Sequence, residues 1–317
     1  EPIADAVSAR IWRWPREWIE NRMMGVSCAD PSLLEGLAWL SCYLMTGKHM
    51  AFYLSFLTVL ILLAITAPVA IIFGLLGAVG SRARLLPVRL LGRGYISVVR
   101  GVPDIVFFLF VPIALDQGFE YLRHRIMCPE VLEPVRQGND FVVCAIAKLP
   151  LNSDPQWLHE IYGFALAVLS FAIVFGAFAG NTFRGAFEAV PRNQLETAEA
   201  YGMNRLQVFW RVLLPQMWIY ALPGLSNLWM ILIKVTPLLF LLGVEDIVYW
   251  ARELGSAKTS AFSFPHPDWR LWYFLVLLLF YLGLTKISEI VFARLMARYN
   301  MGQATLGGSR QLGQVGR

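Results

Sequence analysis

Apolar stretches long enough to cross a bilayer recur five times along this 317-residue chain, and they constrain its fold more than any other feature. A helix needs about 20 consecutive apolar residues to cross the hydrocarbon core, because it rises only about 1.5 Å per residue. The stretches lie at about 50–79, 94–116, 160–183, 222–244 and 269–292. Since lipid offers no partner for backbone N–H and C=O groups, such spans must be helical. The sequence therefore predicts an all-α, polytopic membrane protein with about five transmembrane helices.

Composition excludes several classes of function. Charged residues make up 15% of the chain and hydrophobic residues 57%, whereas soluble domains carry about 25% charged residues. The net charge of +5 does not require a nucleic-acid partner, because basic loops on one side of a membrane account for it. The sequence has no phosphate-binding P-loop, no H-E-x-x-H zinc motif, no paired C-x-x-C and no G-x-S-x-G. We therefore expect neither catalysis nor a bound cofactor or metal in this chain.

A polar island at 184–216 separates the third apolar stretch from the fourth. Its charges are too costly for hydrocarbon, so it should lie in water; they are Arg184, Glu188, Arg192, Glu196, Glu199, Arg205 and Arg211. Residues 195–200 favour a helix, Gly202 breaks it, and residues 206–214 resume a helical pattern that should end at Pro215. The island is thus predicted to be two short helices joined at a glycine.

The distribution of charge predicts the orientation in the membrane. The 80–93 loop carries four arginines and no acid, and the C-terminal tail is also basic, whereas acids concentrate in the 117–157 and 245–268 connections. Basic loops stay in the cytoplasm. The 80–93 loop, the island and the C-terminus should therefore be cytoplasmic, and the N-terminus should lie outside.

Two regions on the outer side are expected to have structure of their own. Residues 1–48 are interpreted as an extracytoplasmic extension in which 33–47, too short for a span and containing Glu35, forms an interfacial or re-entrant helix; a tilted extra span is the alternative. The 117–157 connection alternates apolar patches with turn residues, which is more hydrophobic than a disordered linker, so we expect a folded periplasmic cap.

The cysteines provide a further prediction for the outer side. Cys28, Cys128 and Cys144 should lie in an oxidising compartment, and Cys42 near or in the membrane. One disulfide is expected, either Cys128–Cys144 or Cys28 with one of those two. Free buried cysteines are the alternative, since spacing alone cannot assign a pair.

The island also carries a recognisable motif. Glu196, Ala198, Gly202, Leu214 and Pro215 match E-A-A, three residues, G, nine residues and I-x-L-P, with Thr197 and Val212 as the two departures. This pattern resembles the EAA signature of permease subunits of bacterial ABC importers. Further blocks make the chain most similar to the polar amino acid branch, of histidine and basic amino acid type, over about 52–303; they are GLLGAVG (74–80), RGVPD (100–104), FRGAFEAVPRNQLETAEAYG (183–202), ALPGLSNLWMILIK (221–234) and LLGVED (241–246).

The resemblance implies a fold and a set of partners. It implies a permease domain at 49–303 with an insertion at 117–157, a coupling loop at 184–216 and a cytoplasmic tail at 304–317, all in the bacterial inner membrane. A second permease subunit, identical or different, two ATPase subunits that bind ATP and Mg²⁺, and a periplasmic amino-acid-binding protein would complete the importer within the lipid bilayer. The coupling helix that docks on the ATPase would use Glu196, Thr197, Ala198, Glu199, Ala200, Tyr201, Gly202, Leu214 and Pro215.

Other functions remain open from the sequence. An ABC permease for a related solute, such as an opine, a dipeptide or a compatible solute, would differ only in its solute-path residues. A transporter without ATPases would usually show an internal repeat, and a membrane enzyme would need titratable groups clustered at one depth. Neither signal is present in the sequence.

Five residues are candidates for the solute path, and two of them lie at the start of the second span. Counted from Gly94, Asp104 is about 15 Å into the hydrocarbon core, where an acid is costly and is a functional candidate by default. It would accept an ammonium or another cationic group, or instead pair with Arg100 one helical turn away or with backbone freed near Pro103. Arg100 would hold an α-carboxylate, or extend to lipid headgroups.

The other three candidates are weighed in the same way. Arg184 has the same two interpretations as Arg100. Asn181 stands where related permeases often carry a glutamate, which puts a strictly basic solute in doubt. The Thr236 hydroxyl would face the path, or would satisfy the carbonyl that Pro237 leaves without a donor.

Overall fold

The computed structural model describes residues 28, 34–128, 130, 135–137, 140–142, 144, 146–148, 155–242 and 244–300. Within these residues, five helices are long and apolar enough to cross a membrane: Gly47–Ser81, Ile105–Met127, Trp157–Ala189, Arg205–Leu239 and Arg270–Tyr299. The prediction of a helical, polytopic protein with about five spans is confirmed. The structure adds one small antiparallel hairpin, in which β1 (Val135–Gln137) pairs with β2 (Asp140–Val142).

The helices run back and forth between two ends of the bundle. The knob end carries the polar island, and the cap end carries the first helix, the described residues between 128 and 155, and the loop before the last helix. In chain order the helices are α1 (Gly36–Leu44), α2 (Gly47–Ser81), α3 (Leu86–Arg100), α4 (Asp104–Met127), α5 (Gln156–Ala189), α6 (Arg192–Ala200), α7 (Arg205–Val208), α8 (Leu214–Val235), α9 (Ile247–Gly255) and α10 (Arg270–Asn300). A π-helix at Phe209–Leu213 precedes α8, and a 3₁₀-helix at Thr236–Leu242 follows it.

The core forms where α2 crosses α5. A Cβ added at Gly74 would lie 2.9 Å from the Gly180 nitrogen, and one at Gly176 would lie 2.6 Å from the Phe73 Cβ. Glycines allow helix backbones to approach closely, which is how helices associate in lipid without a hydrophobic driving force between them. The buried side chains Phe171, Val174 and Phe175 of α5 fill the centre of the bundle.

The second span differs from the predicted 94–116 segment. The chain forms the amphipathic helix α3, breaks at 101–103, and begins α4 at Asp104. Pro103 at the N-cap of α4 explains the break, because proline disfavours helical conformation in the residue before it. The helix then continues to Met127, so the insertion begins about ten residues later than the predicted 117.

The structure describes only part of the N-terminal region. α1 has nine residues and is separate from α2, so it is too short to be the alternative extra span. Residues 1–27, 29–33 and 301–317 lie outside the described residues. The expectations for the rest of the extension and for the cytoplasmic tail therefore stay predictions.

At the cap end, α1 is fastened to the loop that joins α9 to α10. The Tyr43 hydroxyl lies 3.0 Å from His266 Nε2 and donates to the Leu254 carbonyl oxygen at 3.2 Å. The Trp39 ring packs edge-on against Trp269, with centroids 6.0 Å apart. These contacts join a segment from one end of the sequence to the final hairpin-like loop.

Two disulfides, rather than one, lie at the cap end. Cys128 is bonded to Cys144, one of the predicted pairs, with Cα atoms 6.8 Å apart. Cys28 is bonded to Cys42, with Cα atoms 5.7 Å apart, so the predicted pairing of Cys28 with Cys128 or Cys144 is wrong. The reason is the place of Cys42, which lies on α1 outside the five spans and beside Cys28.

Candidate functional site

The knob consists of α6 and α7 with the turn between them. α6 begins after Pro191, which is its N-cap and follows the end of α5 directly. The Leu195 side chain packs on a core of α5 and α8 residues, and Ala198 is buried. Gly202 has φ +83°, in the left-handed region that glycine reaches without a Cβ penalty, and the chain turns there. The predicted pair of helices joined at a glycine is thus present.

The second helix of the knob is continuous with the fourth span. The Asn204 side chain accepts a hydrogen bond from the Gln207 amide, and the Gln207 side chain accepts one from the Asn204 amide. This capping box satisfies two of the free N–H groups at a helix start. From there the chain stays helical through the π segment to Val235, so the predicted helix end at Pro215 is wrong. Pro215 lies in the first turn of α8, where the absence of a backbone N–H is tolerated.

The exposed face of the knob combines charge with large apolar side chains. Glu196, Thr197, Glu199 and Ala200 are exposed, while Leu214 is half-buried against the bundle. Tyr201 is 83% exposed, and Leu206 and Trp210 are also largely exposed. Exposed large apolar side chains on a polar segment are typical of a protein contact. The sequence analysis found the EAA-like residues but missed Leu206 and Trp210, whose apolar character at the polar island was the available signal.

Near the knob end, the structure brings two of the predicted path residues together. Arg100 Nη1 donates to Asn181 Oδ1 at 2.9 Å, joining the end of α3 to α5. Asp104 begins a different helix, so the argument that it shares a helix face with Arg100 does not hold. Phe108, one turn further along α4, packs against Phe171 near the middle of α5, with centroids 4.8 Å apart. The first turns of α4 therefore lie beside the middle of α5, although Ile105 and Val106 are each 49% exposed.

The other two path candidates occupy different surroundings. Thr236 is fully buried, and its Oγ1 donates to the Ile233 carbonyl oxygen at 2.9 Å. That carbonyl is four residues before Pro237 and lacks its usual N–H partner. The Thr236 hydroxyl therefore satisfies the carbonyl that Pro237 leaves without a donor, which is one of its two predicted roles. Arg184 is exposed on the last turns of α5, with Nε 3.7 Å from Glu188 Oε1.

Asp246, which the sequence analysis did not select, is fully buried just before α9. Its Oδ1 accepts hydrogen bonds from the amides of Val248 and Tyr249, so it is the N-cap of α9. Its Oδ2 is buried and has no hydrogen-bond partner among the described residues. Burial raises the pKa of this carboxyl to about 7, although the two amides act in the opposite direction. An acid that directly follows a span and precedes a short helix was a visible N-cap signal.

One cluster in the described part of the chain has the composition of a metal site. A ring nitrogen of His124 and the sulfurs of Cys128 and Cys144 lie within 4.8 Å of one another. The two sulfurs are bonded to each other, so neither is a thiolate that can bind a metal ion. His124 Nδ1 accepts a hydrogen bond from the Cys144 amide at 2.9 Å, which ties the end of α4 to the insertion.

Five spans, a helical knob at one end and a breach in the second span define the membrane subunit of a transport system. The model of the family described as "Binding-protein-dependent transport system inner membrane component" matches residues 70–301. The chain belongs to this family.

The match to this chain extends over most of the length of several curated relatives. The histidine/lysine/arginine/ornithine transport system permease protein HisQ of Escherichia coli (strain K12) is 34% identical over 242 residues, which are 76% of this chain and 90% of HisQ. The arginine ABC transporter permease protein ArtQ of the same organism is 28% identical over 222 residues, 70% of this chain and 83% of ArtQ. The octopine transport system permease protein OccQ of Rhizobium radiobacter is 29% identical over 226 residues, 71% of this chain and 79% of OccQ.

A solved structure shares the fold. One chain of the solved structure described as "Crystal structure of an amino acid ABC transporter with histidines" superposes on this chain with a TM-score of 0.56 and 18% sequence identity. The match covers 84% of this chain and 100% of that chain.

Proposed function

We propose that this chain is the permease subunit of an ATP-driven importer for polar amino acids, with basic amino acids as its main solutes. The observation that carries the proposal is the knob, which presents an EAA-like helix with an exposed charged and apolar face. Its relatives HisQ and ArtQ are described by transport of basic amino acids. ATP hydrolysis belongs to partner subunits, since the sequence has no P-loop.

In this proposal the knob receives the force of the ATPases. α6 is short and anchored to the bundle through Leu195, and α7 is continuous with the fourth span. A push on the face formed by Glu196, Tyr201 and Leu206 is therefore passed directly to α8. Two ATPase subunits, a second permease subunit and a periplasmic binding protein complete the assembly. The knob end faces the cytoplasm, and the cap end faces the periplasm across the inner membrane, as the basic 80–93 loop indicates.

Reversal of charge at the knob tests this assignment. We expect Glu196→Lys to leave the subunit inserted in the membrane while uncoupling ATP hydrolysis from uptake, because Glu196 is exposed and supports no described contact in the chain. The matched control is Glu188→Lys, the same charge change at an exposed position on the last turn of α5, before the knob. Wild-type uptake by the Glu196 variant, or equal loss in both variants, would refute the knob as the ATPase contact.

We propose that the solute path passes the breach between α3 and α4, which residues 101–103 form. The Asn181 amide oxygen, a neutral group, holds Arg100 toward α5. No ion pair with residue 181 neutralises the guanidinium, which would therefore bind the carboxylate of a solute. Asp104 is the first residue of α4, directly before the second span, and its carboxylate would bind a cationic group of the solute. An amino acid carries both complementary charges. Arg184 would attract or release solute at the cytoplasmic exit.

A further inference from the structure

The short helix α1 has one buried face and one face of exposed leucines. Its buried face contains Cys42 and Tyr43. Its exposed face contains three leucines at i, i+3 and i+7, which therefore lie on one side of the helix: Leu37 is 84% exposed, and Leu40 and Leu44 are each 39% exposed. A helix that faced water on this side would carry polar residues there.

The contacts of the opposite face fix this orientation. Tyr43 stacks against Trp39 with centroids 5.2 Å apart and bonds to His266, and Trp39 also packs on Phe264. The Cys28–Cys42 disulfide adds a covalent tie on the same helix. α1 therefore cannot rotate to bury its leucines in the bundle without giving up these contacts.

The leucine face continues onto the surface of a span. Tyr53, in the second turn of α2, donates its hydroxyl to the Leu44 carbonyl oxygen at 3.2 Å, so the end of α1 lies over this part of α2. Along α2 the exposed large residues form an uncharged stripe: Tyr53, Leu57, Ile61, Ile65, Ile72 and Leu76. α2 crosses the membrane, and such a stripe is covered by acyl chains. The leucines of α1 extend the same apolar surface at its cap end.

We propose that α1 is an interfacial helix, with Leu37, Leu40 and Leu44 inserted among the acyl chains of the bilayer leaflet at the cap end. Nine residues are too few to cross a bilayer, but an apolar face on a short helix suits the boundary between headgroups and acyl chains. Its other face holds the α9–α10 loop, so lipid binding fixes that loop at the membrane surface. The family match begins at residue 70, so α1 is a feature of this chain outside the matched region.

Site-directed fluorescence tests the proposal in the full chain. Leu37→Cys and Leu40→Cys variants are labelled with bimane without reductant, because all four native cysteines are held in disulfides. Ser260→Cys is the matched control, an exposed polar residue in the loop that α1 holds. The proteins are reconstituted in phosphatidylcholine–phosphatidylglycerol vesicles and quenched either by lipids brominated on the acyl chain or by aqueous iodide.

The two quenchers separate the possible surroundings of α1. The proposal expects loss of fluorescence at positions 37 and 40 with brominated lipid and protection from iodide, and the reverse at position 260. Quenching by iodide at 37 and 40, as at 260, would show that the face lies in water and overturn the proposal. Protection from both quenchers would show that protein covers the leucines, either residues 1–27 or another subunit, and would overturn it equally.

Discussion

At the scale of single residues, the hydrogen bond from Arg100 to Asn181 decides how charge is arranged at the breach in the second span. A carboxylate at position 181 would form an ion pair with the guanidinium and neutralise it. The amide oxygen present here holds the guanidinium in place at 2.9 Å without cancelling its charge. If the path runs here as proposed, solute selection would depend on how Arg100 and Asp104 share a zwitterionic or cationic solute.

Replacement of Asp104 tests its part in that selection. We expect Asp104→Asn to leave folding intact and to raise the concentration needed for half-maximal uptake, more for arginine than for glutamine, because only arginine brings a second cationic group. Side-by-side transport assays with the two amino acids measure this. Equal losses for both solutes, or loss of folded protein, would show that Asp104 is not a solute contact.

The buried Asp246 carboxyl predicts a pH dependence of stability. Its pKa is raised by burial from 3.8 to about 7 in the folded protein, so folding favours the protonated form. The stabilisation is complete below the unfolded pKa and is lost as pH rises through about 7, amounting to at most about 4 kcal/mol. Asp246→Asn keeps an oxygen for the α9 N-cap and cannot ionise.

Melting temperatures between pH 5 and pH 8 measure this contribution. We expect the wild-type protein to lose stability relative to Asp246→Asn as the pH rises, since the variant stays neutral throughout. All other titrating groups are shared, so they cancel in the difference between the two proteins. Parallel profiles for the two proteins would contradict a buried, partly protonated Asp246.

Single residues also show which site features the sequence could reveal. The EAA-like residues were found because their spacing is local, and Thr236 was recognised as a candidate partner for the carbonyl freed by Pro237. The Arg100–Asn181 bond joins residues 81 positions apart, and Cys42 reaches Cys28 only because α1 lies outside the spans. These contacts depend on where the residues lie in the tertiary structure, which the periodicity and spacing of the sequence do not determine.

At the scale of elements, hydropathy located five spans but not where helices break or continue. The break at 101–103 lies in a segment that is apolar on average, and the local signals that mark it are Pro103 and the flanking charges of Arg100 and Asp104. Pro215 suggested a helix end, yet the chain stays helical from Arg205 to Val235. The Asn204–Gln207 capping box was a readable start signal for this helix.

The α2–α5 crossing predicts a sharp sensitivity at one glycine. We expect Gly74→Ala to destabilise the protein by about 1–3 kcal/mol, because overpacking forces the two helices apart. The added Cβ would meet the Ala179 Cβ at 2.8 Å and the Gly180 nitrogen at 2.9 Å. Thermal unfolding in detergent measures the effect, and Gly283→Ala in α10, where a Cβ would meet nothing within 4 Å, is the control. Equal melting temperatures for the two variants would exclude the close crossing.

The disulfide in the insertion predicts local resistance to protease. Cys128–Cys144 closes a segment with a sequence separation of 16 that holds the β1–β2 hairpin, and such a link contributes about 3 kcal/mol by restricting the opened chain. We expect the double variant Cys128→Ser/Cys144→Ser to be cleaved faster by trypsin at the exposed Lys148. The double variant Cys28→Ser/Cys42→Ser is the control, and unchanged cleavage in the first variant would show that the insertion is folded without its disulfide.

At the scale of the whole molecule, the knob, the breach and the cap occupy successive levels of one bundle. The fourth span links the knob to Thr236 and then to the buried N-cap of α9, which in turn packs beside α10. A movement imposed at α7 therefore reaches the cap end through one nearly continuous helical rod. In the proposed importer, this connection would couple ATP hydrolysis at one end to solute entry at the other.

Uptake by reconstituted vesicles tests this account most directly. The chain is purified with its partner ATPase and permease subunits, placed in proteoliposomes with ATP inside, and supplied with binding protein and labelled arginine outside. The account predicts accumulation that requires both ATP and the binding protein and that stops with Glu196→Lys. Accumulation by this chain alone without ATP, or failure of the complete assembly to take up any polar amino acid, would contradict it.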